Sequence, residues 1–335
     1  MRPFDPLIRN PHLQTIAGSV WRRPERADLF PVRSKFYQTE PAVQVLVREQ
    51  SPRGEPRGVL LLVHGLEGSS EAGYMRSLSH LALQAGYAAH RSNIRGCGGT
   101  EALCDTLYHA GLTADLRFLV FQLRSRYQMP VHVCGFSLGA NMALKLAGEL
   151  GEQARGVVAS VVAVSAPIDL KACAQAMNRL ENWLYQRRFL QSMCARLRRR
   201  EKLMPQVFRF NNLEKLRTIY DFDHHVTAPF FGFGSAEGYY GTQSAQLFLE
   251  SIRVPALLIQ AKDDPMIPFD VFRHPAFSRN PWLELWAVNH GGHVGFLARG
   301  SYRFWVDLAV VDWLAHLENR TGAEQALPSP PPLIN

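Results

Sequence analysis

Within residues 131–147, an apolar run, Val131-His132-Val133-Cys134, passes through Gly135-Phe136-Ser137-Leu138-Gly139 into a stretch of good helix formers, Asn141-Met142-Ala143-Leu144-Lys145-Leu146-Ala147. No other stretch constrains the fold as strongly. Small residues on either side of the serine let the chain reverse from strand to helix, and they hold the serine exposed at the tip of a strained turn. A strand that hands over directly to a helix belongs to an alternating architecture.

The rest of the chain reads as such an alternation. Strands, several of them apolar throughout, are predicted at 59–63, 87–94, 157–164, 256–261 and 283–288, and helices at 75–84 and 113–127. Leu116, Leu119, Val120 and Leu123 share one face of the second helix. Segments 34–39 and 43–49 read as paired strands around Pro41. Strands that are apolar throughout need cover on both sides, so the fold class is α/β, a mostly parallel central sheet with helices on both faces.

The alternation stops between Pro167 and Arg253 in a helix-like, aromatic stretch containing Arg187, Arg188, Arg196, Arg198, Arg199 and Arg200. Residues 168–253 are read as a helical lid insertion, and the arginines themselves as a solvated face. The core is then 33–167 plus 254–320, with an irregular N-terminal segment, 1–32, packed on it and a flexible tail at 321–335.

A chain of 335 residues is long enough for one large core with an insertion. Its net charge of +8 favours solubility and would also support weak peripheral contact with an anionic membrane, while no nucleic-acid-binding pattern accompanies it. Five cysteines without a C-x-x-C pair suit a reducing compartment. Residues 1–6 lack a signal-peptide pattern, and no apolar run approaches the ~20 residues that span a bilayer, so a cytoplasmic protein is expected. Neither G-x-G-x-x-G nor G-x-x-x-x-G-K-[ST] occurs, so no cofactor is expected. No pattern speaks to the oligomeric state.

A serine hydroxyl needs an adjacent base, itself oriented by a third group, before it becomes a nucleophile. Downstream of Ser137 an apolar strand ends in Lys262-Asp263-Asp264-Pro265, and the last strand runs into Asn289-His290-Gly291-Gly292-His293. Asp264 directly precedes the proline turn and takes the orienting role, while Asp263 points away by strand alternation. His293 is the base, with glycines able to swing it over the sheet, and His290 makes a structural hydrogen bond at the strand end. A metal site at His290 and His293 is disfavoured, because a pair spanning two glycines is not a rigid ligand set. Two backbone N–H groups must meet the developing oxyanion. Leu138 supplies one, and Leu66, in His64-Gly65-Leu66-Glu67-Gly68 after the 59–63 strand, supplies the other. His64 braces that loop. Arg95-Gly96-Cys97-Gly98-Gly99 is either a plain turn or a place of close approach for the substrate or the lid.

The ordered set Asn10-Pro11-His12-Leu13-Gln14-Thr15, His64-Gly65-Leu66-Glu67-Gly68-Ser69, Arg95-Gly96-Cys97-Gly98-Gly99, Tyr108-His109-Ala110-Gly111, Gly135-Phe136-Ser137-Leu138-Gly139-Ala140-Asn141, Ala261-Lys262-Asp263-Asp264-Pro265 and Gly291-Gly292-His293-Val294-Gly295-Phe296 resembles the YheT-like branch of the α/β-hydrolase superfamily. This branch is related to the plant embryogenesis-associated and lung-type α/β-hydrolases. The resemblance implies an α/β-hydrolase fold and a charge relay on Ser137, Asp264 and His293. It also implies hydrolysis of carboxylic esters, with acylglycerols and phospholipids as substrates of some members. A small-molecule or lipid ester is therefore the expected partner. An acyltransferase using the same nucleophile, or a catalytically silent ligand-binding protein, are the alternatives.

Overall fold

The computed structural model describes residues 1–24 and 29–325. Eight strands, β1 (Arg33–Glu40), β2 (Val43–Gln50), β3 (Gly58–Val63), β4 (Tyr87–Ser92), β5 (Val131–Phe136), β6 (Val158–Val164), β7 (Ala256–Ala261) and β8 (Leu283–Val288), form one sheet. Their order is β1-β2-β4-β3-β5-β6-β7-β8. β1 and β2 run antiparallel to each other, β2 runs antiparallel to β4, and β3 to β8 are mutually parallel.

The pleat sorts the apolar strand residues into two cores. Leu60, Leu62, Cys134, Phe136, Val162, Val164, Leu257 and Ile259 face one side. There they meet α2 (Gly73–Gln84) and the last long helix, Trp305–Gln325, through Met75, Leu78, Val306 and Val310. Val59, Leu61, Val63, Val131, Val133, Val161, Ala163 and Leu258 face the other side, against α3 (Ala114–Tyr127) and α4 (Leu138–Leu150). Both faces are buried, which is why these strands read as continuous apolar runs rather than as alternations. Each fully buried Val or Leu contributes about 1.5–3 kcal/mol over an exposed one.

The structure departs from the sequence reading at both ends of the chain. The N-terminal segment is not irregular throughout, because it contains α1 (Pro11–Val20). Asn10 caps this helix by accepting from Leu13 N at 3.0 Å, and Pro11 occupies the first turn, where its missing N–H costs nothing. At the other end, the last helix continues to Gln325, past the start expected for the tail, and residues 326–335 lie outside the described residues.

Between β6 and β7 the chain builds α5 (Leu170–Met177), α6 (Trp183–Leu203) and a series of short helical turns ending at Ser251. The arginines of α6 do not share one solvated face. Arg187, Arg188, Arg198 and Arg199 are exposed, but Arg196 and Arg200, one turn apart, are buried with Leu190, Met193 and Leu197. Arg200 Nη2 donates to the carbonyls of Cys104 and Thr106 at 2.6 and 2.8 Å, with its guanidinium 4.4 Å over the Phe208 ring. A Cβ on Gly96 would lie 1.9 Å from Arg200 Nη1, so the Arg95–Gly99 turn is where α6 comes close. Burial of these two side chains follows from carbonyl and carboxylate partners on the core, which the helix sequence alone does not reveal.

Candidate active site

Because β3 to β8 are parallel, the loops after β3, β5, β7 and β8 open on the same edge of the sheet, where such folds place their sites. Ser137 directly follows β5 at φ 51°, ψ −120°, a left-handed conformation that a side chain adopts only under constraint. The constraint is steric. A Cβ on Gly135 would lie 2.2 Å from Gly139 O, and one on Gly139 would lie 2.5 Å from His64 O. Only hydrogen at both positions lets β5, α4 and the loop after β3 meet around the serine. Ser137 N–H donates to Val164 O at 2.8 Å, tying the turn to β6.

His293 Nε2 lies 2.9 Å from Ser137 Oγ, and His293 Nδ1 lies 2.9 Å from Asp264 Oδ2. With its proton on Nδ1, the imidazole donates to the carboxylate and can accept the serine proton at Nε2. Asp264 follows β7, and its carboxylate is shielded from solvent. Its Oδ1 accepts from Met266 N at 2.9 Å and Ile267 N at 3.1 Å, while Oδ2 also accepts from Gln260 Nε2 at 3.2 Å. The proline turn noted in the sequence thus supplies the two amides that aim the carboxylate.

The neighbouring Asp263 does different work. Its Oδ1 accepts from Gly291 N at 2.9 Å and Gly292 N at 3.0 Å, and its Oδ2 lies 3.2 Å from His290 Nδ1. It shapes the loop that carries His293, and His290 closes that arrangement without reaching Ser137.

The sequence reading missed two supports of that loop. His293 N–H donates to Thr15 Oγ1 at 2.8 Å, and Thr15 in turn donates to Pro11 O at 2.7 Å. α1 lies against the loop at backbone distance, for a Cβ on Gly18 would sit 2.6 Å from Gly295 Cα. Gln14 Nε2 adds a bond to Leu297 O at 3.1 Å. The second support is Ser165, just past β6, whose hydroxyl accepts from Val294 N at 3.1 Å. The Pro11–Thr15 spacing of one helical turn was the available signal for the first.

The loop after β3 is held as tightly. His64 is fully buried, with Nδ1 2.7 Å from Gly65 O and Nε2 accepting from Ile94 N at 3.0 Å. Burial pushes its pKa down to about 4, so it stands neutral as a brace. Gly65 N–H donates to Tyr74 OH at 3.0 Å and Glu67 N–H to Tyr108 OH at 3.3 Å, on either side of Leu66.

Ser137, His293, Leu66 and Leu138 border a cavity of about 140 Å³. Its walls are mainly apolar and come from the core and from the insertion, among them Leu170, Met177, Phe189, Met193, Phe222 and Ile267. Asp223, also on this wall, accepts from Thr227 Oγ1 and Tyr240 OH, each at 2.8 Å, and burial raises its pKa to about 6. It belongs to a five-residue π-helix, Asp223–Thr227, a rare geometry that recurs at functional sites.

Comparison with known proteins agrees with this architecture. The alpha/beta hydrolase fold family matches residues 58–299. The putative esterase YheT of Escherichia coli (strain K12) is 31% identical over 91% of this chain and 90% of its own length. The monoacylglycerol lipase of Saccharomyces cerevisiae is 30% identical over 75% of this chain, which spans 57% of that protein. Among solved structures, the Pyrococcus furiosus esterase Pf2001 superposes with a TM-score of 0.57 over 88% of this chain and 98% of its own, at 19% identity, a likeness of fold. Among the described residues no helix is long and apolar enough to cross a membrane. The chain belongs to the α/β-hydrolase fold family, in its YheT-like branch.

Proposed function

We propose that the protein is a serine hydrolase that cleaves carboxylic esters of apolar acyl groups through an acyl-enzyme. The observation that carries this reading is the unbroken hydrogen-bond path from Ser137 Oγ through His293 to Asp264, two contacts of 2.9 Å beside an apolar cavity. His293 takes the Ser137 proton as Oγ attacks the ester carbonyl, and the N–H groups of Leu66 and Leu138 receive the oxyanion. The imidazolium, stabilised by Asp264, then protonates the departing alcohol. Water deprotonated by His293 attacks the acyl-serine, and the acid leaves as Ser137 regains its proton. The names of the relatives, an esterase and a monoacylglycerol lipase, support an ester substrate, and the apolar walls support an acyl chain in the cavity.

The test pairs p-nitrophenyl ester turnover with the intact mass of protein treated with a fluorophosphonate. Wild type is expected to hydrolyse the ester and to gain one phosphonyl group at Ser137. Ser137→Ala is expected to lose the adduct and about 10⁴-fold or more of the rate. Equal rates, or an adduct elsewhere, would remove Ser137 from the chemistry.

A further inference from the structure

We propose that Glu67 and Arg196 form a latch through which α6 holds the oxyanion loop in shape, which makes both of them positioning residues. The proposal rests on the serine-hydrolase reading above. Glu67 directly follows Leu66 and sits at φ +56°, a left-handed conformation unfavourable for a residue with a side chain. Something must hold it there, and three donors do. Arg196 Nη2 approaches Glu67 Oε1 at 2.6 Å, Ser192 Oγ donates to Oε2 at 2.8 Å, and Tyr108 OH donates to Oε1 at 3.1 Å. The first two come from α6. The Arg196 guanidinium also lies 4.3 Å over the Tyr108 ring, so the carboxylate, the phenol and the guanidinium form one buried cluster.

The cluster makes the loop depend on the insertion. Arg196 is a buried cation whose Nε and Nη1 make no hydrogen bond among the described residues, and Glu67 is the carboxylate in direct contact with it. Moving α6 away would remove two of the three donors to Glu67 and free it to relax to negative φ, shifting the segment that presents the Leu66 N–H. The same helix lines the acyl cavity with Phe189 and Met193. Seating of α6 over the cavity and assembly of the oxyanion donor are therefore one event, which ties the chemical step to a closed site.

The experiment measures kcat and KM for a short acyl ester, with kcat normalised to sites labelled by a fluorophosphonate, in wild type, Glu67→Gln and Arg196→Met. One oxyanion donor is worth ~10²–10³ in kcat, so each variant is expected to lose about tenfold or more in kcat per labelled site, with KM within about threefold. The preference for an oxoester over the matching thionoester, whose sulfur is a poor hydrogen-bond acceptor, should fall in both variants. A purely structural role would lower the melting temperature and leave that preference unchanged. Wild-type kcat per labelled site, or a loss of rate with the preference intact, overturns the latch. Should both variants fail to fold, Ser192→Ala keeps the ion pair and removes one donor; a smaller fall in kcat and preference supports the latch, and none overturns it. Absence of Ser137 labelling in wild type would instead bring down the hydrolase reading.

Discussion

Replacing Asp264 by asparagine changes one atom and asks whether the carboxylate sets the protonation of His293. The surroundings dictate how the new amide must lie. Two backbone donors, Met266 N and Ile267 N, point at Oδ1, so the amide oxygen stays there and the NH₂ group faces His293 Nδ1. Gln260 Nε2, already 3.2 Å from Oδ2, would oppose that NH₂ but cannot outweigh two fixed amides. A donor facing Nδ1 forces the imidazole to accept there and to carry its proton on Nε2, opposite Ser137 Oγ. The imidazole then holds a proton where the proposed mechanism needs it to take one up. Loss of the correct tautomer in a serine–histidine–aspartate relay costs about 10⁴ in kcat, equivalent to about 5.5 kcal/mol of barrier. The assay is p-nitrophenyl ester turnover of Asp264→Asn at neutral pH, beside Asp263→Asn. The neighbouring substitution keeps an acceptor for Gly291 and Gly292 and leaves the tautomer alone, so it should lose far less. If Asp264→Asn kept more than about a tenth of wild-type kcat, the carboxylate would not be the group that orients His293.

Thr15→Val leaves the His293 N–H without its acceptor, so stability should fall by about 1–3 kcal/mol in urea unfolding, with a drop in kcat as the loop loosens. Asp223→Asn tests the buried carboxylate of the cavity wall. Its folded pKa of about 6 stands above the ordinary 3.8, so the folded state holds this proton more tightly than the unfolded one. Wild type therefore carries no penalty from it below about pH 4 and acquires one of about 3 kcal/mol as pH rises through about 6. The stability of Asp223→Asn relative to wild type should improve between pH 4 and pH 8 by that order; a difference flat with pH would refute the assignment.

Local pattern was sufficient for the sheet, and it singled out three polar side chains that the structure brings within hydrogen-bond distance of one another. β3, β5, β6 and β7 are mainly apolar and buried, and Ser137, Asp264 and His293 each sit in a short motif at a strand end. What escaped were relations between distant segments. α1 is capped by Asn10 and opened by Pro11, a start signal that was present but weak beside the surrounding prolines. Its importance lies in how close Gly18 comes to Gly295, and no periodicity encodes that distance. The arginines of α6 failed for the opposite reason. Composition describes a basic helix, but whether a given arginine is solvated depends on what lies across from it.

Sequence alone therefore determined which segments become buried strands and which side chains could carry acyl chemistry, because both depend on residue type and near neighbours. Tertiary structure decided that Thr15 would hold His293 and that Glu67 would meet Arg196. Those contacts join residues 278 and 129 positions apart, and only the folded chain brings them together.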